Sequence, residues 1–208
     1  DHEVIVKTTG LCLGYGQHVV LAQVNVEIRA GAFWFFLGPN GEGKTTLLRI
    51  LAGLDEPDTG EVVAGHGLRI GYYAQEHETL DVGRSVLANM KTAAPQLGDT
   101  DVRKVLGAFL FSGDDVDKSA SVLSGGEKTR LALAMLVCSS ANVLLLDEPT
   151  NNLDPASRAE VLSAIKRYAG AIVLVTHDEG AVDALDPDRV LLLPDGVEDL
   201  WNPEYADL

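Results

Sequence analysis

The chain has 208 residues, long enough for one well-buried domain and short for two independent cores. Apolar residues make up 46% of it, yet the longest apolar runs, such as AFWFFL and VLLL, are far too short for a transmembrane helix. Sixteen basic against 31 acidic side chains give a formal net charge of −15, which excludes a broad phosphate-binding face and leaves room only for a local basic patch.

Most of this acidity reads as a solvated surface. The first residues lack the basic-then-apolar pattern of a secretory signal, and a start at Asp1 without Met reads as an excised piece. Cys12 and Cys138 lie in apolar surroundings at no metal-ligand spacing, so a pair of buried thiols in a reducing, cytoplasmic compartment is expected.

Along the chain, VIVKTTGLCLGYG, HVVLAQVNVEI and AFWFFL alternate short apolar runs with turn residues, which predicts hairpin-like strands. The period changes in KTTLLRILAG, where Leu47, Leu48 and Leu51 share a helical face and Gly53 is a C-terminal stop. LRIGYYAQ reads as another strand. Residues from about Val82 to Phe111 carry helical spacing broken by AAPQLGDT, so a helical insertion begins after Gln75. NVLLLDEP and GAIVLVTHD are apolar runs that end in acid or His, as buried parallel strands with functional groups at their C-terminal ends do. The pattern is an α/β domain with a helical insert, approximately residues 79–140.

Between a predicted strand and a predicted helix stands GPNGEGKTT, Gly38 to Thr46. Its spacing, Gly38, four residues, Gly43, Lys44, Thr45, matches a phosphate-binding loop whose backbone N–H groups surround phosphates. Gly38, Asn40, Gly41, Gly43, Lys44, Thr45 and Thr46 are therefore the candidate nucleotide contacts. Lys44 would reach the β and γ phosphates, the Thr45 hydroxyl would ligate Mg²⁺, and the helix adds the positive end of its dipole. A glycine-rich turn with a chance lysine is the bland alternative. Glu42 is anomalous in such a loop: at about 8 Å from a phosphate it would cost roughly 2 kcal/mol at an effective dielectric of 20, so its side chain is expected to point outward.

VLSGGEKTRLALAML follows, in which Ser124, Gly125 and Gly126 open a helix with Leu131, Ala134, Met135 and Cys138 on one face. Ser124 and Glu127 have the spacing of a capping box, which by itself could explain the motif. Two glycines at a helix start also offer backbone N–H groups to an anion.

LSGGE taken with the phosphate loop resembles the signature pair of the ATP-binding-cassette (ABC) ATPases, and the resemblance covers essentially the whole chain. It implies a P-loop α/β nucleotide-binding domain with an N-terminal antiparallel β subdomain and a helical insertion. It also implies two cassettes that close over two ATP molecules, with Ser124, Gly125 and Gly126 facing the nucleotide of the other cassette. In LLLDE, Asp147 would hold the Mg²⁺ shell and Glu148 would activate water. Gln75 resembles the residue that meets Mg²⁺ and relays nucleotide state to the insert. His177 resembles the histidine that contacts the γ-phosphate, although Thr176 and Glu179 have the spacing of a helix cap. Tyr15 lies where the family places an aromatic ring under adenine, with core or surface packing as the local alternative for a tyrosine in a strand. Asn152, Leu153 and Asp154 look like the loop that crosses the dimer seam, with an Asx turn before Pro155 as the local alternative.

LSGGEKTRLALA, TNNLD, AQEHETLD and the end LWNPEYADL together resemble the ABC-F group, soluble tandem ATPases of which several act on ribosomes. The chain would then be one cassette, the second. It departs from that group's common TNHLD and SHDR, with Asn152 and THDEGAVDAL in their place. The alternatives are the ATPase subunit of a membrane transporter and an ATP-gated interaction module.

Overall fold

A computed structural model describes residues 2–39, 43–74 and 79–208. The chain folds into two compact units, one of residues 1–72, 141–147 and 169–208, the other of residues 73–140 and 148–168.

The first unit opens with β1 (Val4–Tyr15) and β2 (His18–Arg29), antiparallel from Val4 opposite Arg29 to Tyr15 opposite His18. Gly16 takes φ +61° in the tight connection, a left-handed value that glycine adopts without Cβ strain. A third strand, β4 (Thr59–Ala64), pairs with the other edge of β1. β4 lies almost wholly exposed, so it lacks the apolar alternation that would betray a strand in the sequence.

β3 (Phe33–Leu37) leaves this hairpin pattern and joins a second sheet. That sheet has the order β5-β6-β7-β3-β8-β9, with β5 (Ile70–Tyr73), β6 (Val143–Asp147), β7 (Ala171–Val175), β8 (Arg189–Leu192) and β9 (Val197–Leu200). β3 runs parallel to β7 and β8, and β6 runs parallel to β7. The reading of AFWFFL as part of a hairpin is thus corrected. Three consecutive buried residues, Trp34 to Phe36, belong to a strand covered on both faces. β6 and β7 are buried at all five positions, as their unbroken apolar runs require.

After the phosphate loop, α1 (Gly43–Leu51) buries Leu47, Leu48, Ile50 and Leu51 in the core that the two sheets share. Gly53 ends it at φ +78°, its N–H donating to the Ile50 carbonyl, while Leu54 N–H returns to Arg49. Arg49 then grips Asp55 through Nε at 2.8 Å.

The second unit is helical: α2 (Val86–Ala93), α3 (Asp99–Ala108), α4 (Gly125–Cys138) and α5 (Pro155–Arg167), with α4 packed against the other three. Four consecutive residues of α4, Leu131 to Ala134, are buried, while Met135 and Cys138 are only half-buried. Leu131, Ala134, Met135 and Cys138 share a face of this helix, but its burial extends beyond that face, as for a helix with neighbours on several sides. Both thiols are free and half-buried rather than buried, and burial raises the Cys138 pKa to about 11. Among the described residues no helix is long and apolar enough to cross a membrane.

Leu145 is 1% exposed in the middle of β6. Leu145→Ala should lower stability by about 2–5 kcal/mol, measured as a shift in the urea midpoint at unchanged slope.

Candidate nucleotide site

Parallel strands carry their C-terminal ends to one edge of a sheet, and β6, β7 and β3 are neighbours in this one. β3 feeds Gly38 and the loop, β6 ends in Asp147, and β7 is followed by Thr176 and His177. Gly38 is held close to β8's continuation: a Cβ there would lie 3.2 Å from both the Cβ and the carbonyl oxygen of Leu193. Gly43 has similar company, with the Val20 carbonyl oxygen 3.3 Å from an added Cβ. The two fixed glycines of the motif are thus places where backbone approaches backbone.

Lys44, on the first turn of α1, is 6% exposed, and its Nζ donates to the Gly38 carbonyl at 3.3 Å. The side chain reaches back toward Gly38. Thr45 Oγ1 donates to Asp147 Oδ2 at 2.9 Å, joining residues 102 apart in sequence. Asp147 is itself 7% exposed and Thr46 is 8% exposed. Tyr72 on β5 responds to this carboxylate: burial raises its phenol above the ordinary value, the Asp147 charge raises it further, and Arg49 opposes both.

Mg²⁺ and ATP fit these groups chemically. A hydroxyl and a carboxylate are the hard oxygen donors that Mg²⁺ prefers, and such ions are usually held by one or two carboxylates together with substrate phosphates. Among the described residues no cluster of three or more His, Cys, Asp or Glu forms a metal site, nor does this mode of binding need one.

Glu148, half-buried, adopts φ +52°, and Asn152 adopts +62°. For a glutamate the left-handed region is uncommon and costs of order 1–3 kcal/mol, a strain that clusters at functional sites. Asn151 N–H donates to the Glu148 carbonyl and Leu153 N–H to that of Thr150, closing two consecutive turns. Asp154 caps α5, its carboxylate accepting from Ser157 N–H at 3.3 Å; hydrogen bonding to the Ser157 side chain first, and to its backbone second, holds the Asp154 pKa below the usual carboxylate value.

Ser124 is exposed and caps α4. Its Oγ accepts from Glu127 N–H at 3.2 Å, and Glu127 Oε1 accepts from Ser124 N–H at 3.1 Å, so the capping box forms. Among the described residues, no atom outside the helix's own backbone and immediate neighbours lies within 4 Å of a Cβ added at Gly125. At Gly126 the nearest such atom is Leu153 Cδ2, at an ordinary 3.7 Å. The alternative reading of Thr176 as a cap is not met: Asp178 opens α6 (Glu179–Leu185) by accepting from Ala181 N–H at 3.0 Å, while Thr176 Oγ1 accepts from Asp178 N–H. His177 is exposed beside this turn, and Tyr15 is 58% exposed at the end of β1.

Of the candidate residues, the first unit holds Tyr15, Gly38, Gly43, Lys44, Thr45, Thr46, Asp147 and His177; the second holds Ser124, Gly125, Gly126 and Glu148. Asn40, Gly41 and Gln75, together with Glu42, lie outside the described residues. Sequence reading missed Tyr72, because a tyrosine in a strand carries no local sign of a carboxylate on the neighbouring strand.

The sequence profile of the ABC transporter family matches residues 21–151, which include the phosphate loop, LSGGE and Asp147–Glu148. The chain belongs to the ABC transporter family. It is 41% identical over 190 residues to the putative ATP-binding protein YdiF of Bacillus subtilis, covering 91% of this chain and 29% of the relative. It is 37% identical to the probable ATP-binding protein YheS of Escherichia coli strain K12, over 90% of this chain and 30% of the relative. Against ABC transporter F family member 5 of Arabidopsis thaliana identity is 34%, over 97% of this chain and 29% of the relative. The cassette therefore spans less than a third of these relatives' length. Its fold matches the dimeric post-hydrolysis structure of the ATP-binding cassette MJ0796 bound to ADP and Pi at a TM-score of 0.77 and 23% identity, covering 95% of this chain and 99% of that one. The α/β cassette fold and the resemblance to F-type cassettes read from the motifs are both met.

The capping box makes one effect of the signature independent of nucleotide. Ser124→Ala should lower stability by about 1 kcal/mol in the absence of ATP, read from urea unfolding.

Proposed function

We propose that this cassette binds ATP with Mg²⁺ and hydrolyses it to ADP and phosphate as one half of a two-cassette sandwich. The observation that carries the reading is the 2.9 Å hydrogen bond between Thr45 Oγ1 and Asp147 Oδ2, with Lys44 buried on the same helix turn. Two oxygen ligands and an ammonium group from sequence-distant motifs are held together at the C-terminal edge of a parallel sheet, where such folds bind ligands.

Gly38, Asn40, Gly41, Gly43 and Thr46 surround the phosphates, Lys44 neutralises their β and γ oxygens, and Tyr15 stacks on the base. Thr45, Asp147 and Gln75 would hold Mg²⁺, which supplies charge neutralisation along the triphosphate. Glu148 accepts a proton from water as the water oxygen bonds to the γ-phosphorus, and the bond from that phosphorus to the bridging oxygen breaks, leaving ADP. His177 stabilises the transferring group, and Ser124, Gly125 and Gly126 contact the ATP of the opposite cassette. The open space at Gly125 supports this: among the described residues no atom beyond its own helix backbone and immediate neighbours comes within 4 Å of a Cβ added there.

The domain reading is one cassette, residues 1–208, with a helical subdomain at approximately 79–140. The relatives named as F family members support a place as one cassette of an ABC-F protein; the motif resemblance alone suggests the second cassette of a soluble, cytoplasmic protein acting in translation on the ribosome.

Two outcomes test this. ATPase activity per chain should rise with chain concentration as cassettes pair, and a rate constant on dilution contradicts the composite site. Lys44→Ala should weaken ATP binding at least roughly tenfold, about 1.4 kcal/mol, at an unchanged thermal midpoint. A variant that unfolds instead would mark Lys44 as a structural residue.

A further inference from the structure

Asn89 is 3% exposed on α2, where a polar side chain must find partners. Its Oδ1 accepts from Asp81 N–H at 2.9 Å, and its Nδ2 donates to the carbonyls of Asp81 at 3.0 Å and Ser85 at 3.0 Å, with Arg84 at 3.4 Å. One amide thereby fixes the shape of the whole turn Asp81–Ser85. Ser85 adds the N-cap of α2, accepting from Ala88 N–H at 3.0 Å.

That turn is one side of a short antiparallel ladder. Val86 N–H donates to Lys118 at 2.9 Å, Ala120 N–H to Arg84 at 2.9 Å and Ser121 N–H to Val82 at 3.0 Å, around a bridge between Ser85 and Ser119. Ser119 Oγ also donates to the Val82 carbonyl at 3.0 Å. The other side, Lys118–Ser121, runs directly into Ser124 and the N-terminus of α4. All of these residues belong to the second unit.

We propose that Asn89 is a positioning residue for the signature: through the 81–86 and 118–121 ladder it fixes where Ser124 and the glycines of α4 are presented to the nucleotide of the opposite cassette. The inference rests on the composite-site reading above. Truncating a helix-borne amide that never touches ATP would then weaken cassette pairing and leave ATP binding to the chain's own phosphate loop intact.

The test compares the unaltered chain with Asn89→Ala, measuring ATPase rate against chain concentration together with ATP affinity and stoichiometry. In the variant the concentration for half-maximal rate should rise at least fivefold. One ATP per chain should still bind within twofold of the original affinity, and the Val86, Ala120 and Ser121 amides should exchange hydrogen at least tenfold faster. A loss of bound ATP per chain at an unmoved midpoint would mean a merely structural role and overturns the proposal, as does a loosened ladder with no change in midpoint. If Asn89→Ala does not fold, Ser119→Ala, which removes the surface bond to Val82, is measured in the same way. It should shift the midpoint at least twofold, and no shift overturns the proposal. An unaltered chain whose rate ignores concentration defeats the composite site itself, and this inference with it, before any variant is compared.

Discussion

The Asp147 carboxylate stands at the end of a strand buried at every position, and little solvent reaches it. Removing a carboxylate from water costs several kcal/mol even after relaxation. A hydrogen bond to a charged group, such as the one from the Thr45 hydroxyl, returns about 1.5–3 kcal/mol. A carboxylate held this way suits a cation, and the rest of the first unit is arranged around it. The order β6-β7-β3 places the acid, the Thr176–His177 turn and the phosphate loop at adjacent strand ends, and the core beneath them fixes the strand heights. Because the carboxylate is hydrogen-bonded to a hydroxyl on the first turn of α1, anything that moves that helix also moves this carboxylate–hydroxyl pair.

Legibility in the sequence followed the range of the interactions involved. α1 and its Gly53 stop are local: a 3.6-residue period and a left-handed glycine lie within 11 residues, and both are readable. β6 and β7 announced themselves as short unbroken apolar runs. β4 did not, since its residues are exposed and only the backbone of β1 holds it in place. The pair β8 and β9 hid for a related reason: β9 is exposed at all four positions, and β8 takes its place through parallel pairing with β3, more than 150 residues earlier.

The same rule separates the polar residues. Ser124 and Glu127 were legible as a cap because both bonds close within four residues. Thr176 and Glu179 had equally good spacing and lost to Asp178, whose carboxylate accepts from Ala181 N–H while Thr176 serves Asp178 itself. Competing side chains two residues apart present the helix with two possible starts, and spacing alone does not choose between them. Asn89 was invisible because a single asparagine in the otherwise apolar run Val86–Met90 carries no local sign of its partners. Its four hydrogen bonds exist only once the turn before α2 has closed over it.

The departure at Asn152 can be judged on the same physical terms. The F-type pattern places His where this chain has Asn, in the turn between Glu148 and the α5 cap. The residue sits at φ +62°, where a β-branched side chain would be badly strained, whereas Asn, Asp and His are the non-glycine residues most often accepted there. Exchanging His for Asn therefore keeps the backbone path, the two turn bonds and the Asp154 cap, and changes only what the side chain offers at its tip. An imidazole that can carry charge is replaced by a neutral amide. A φ of +62° accepts either residue, so the effect of this one exchange lies in what that tip meets.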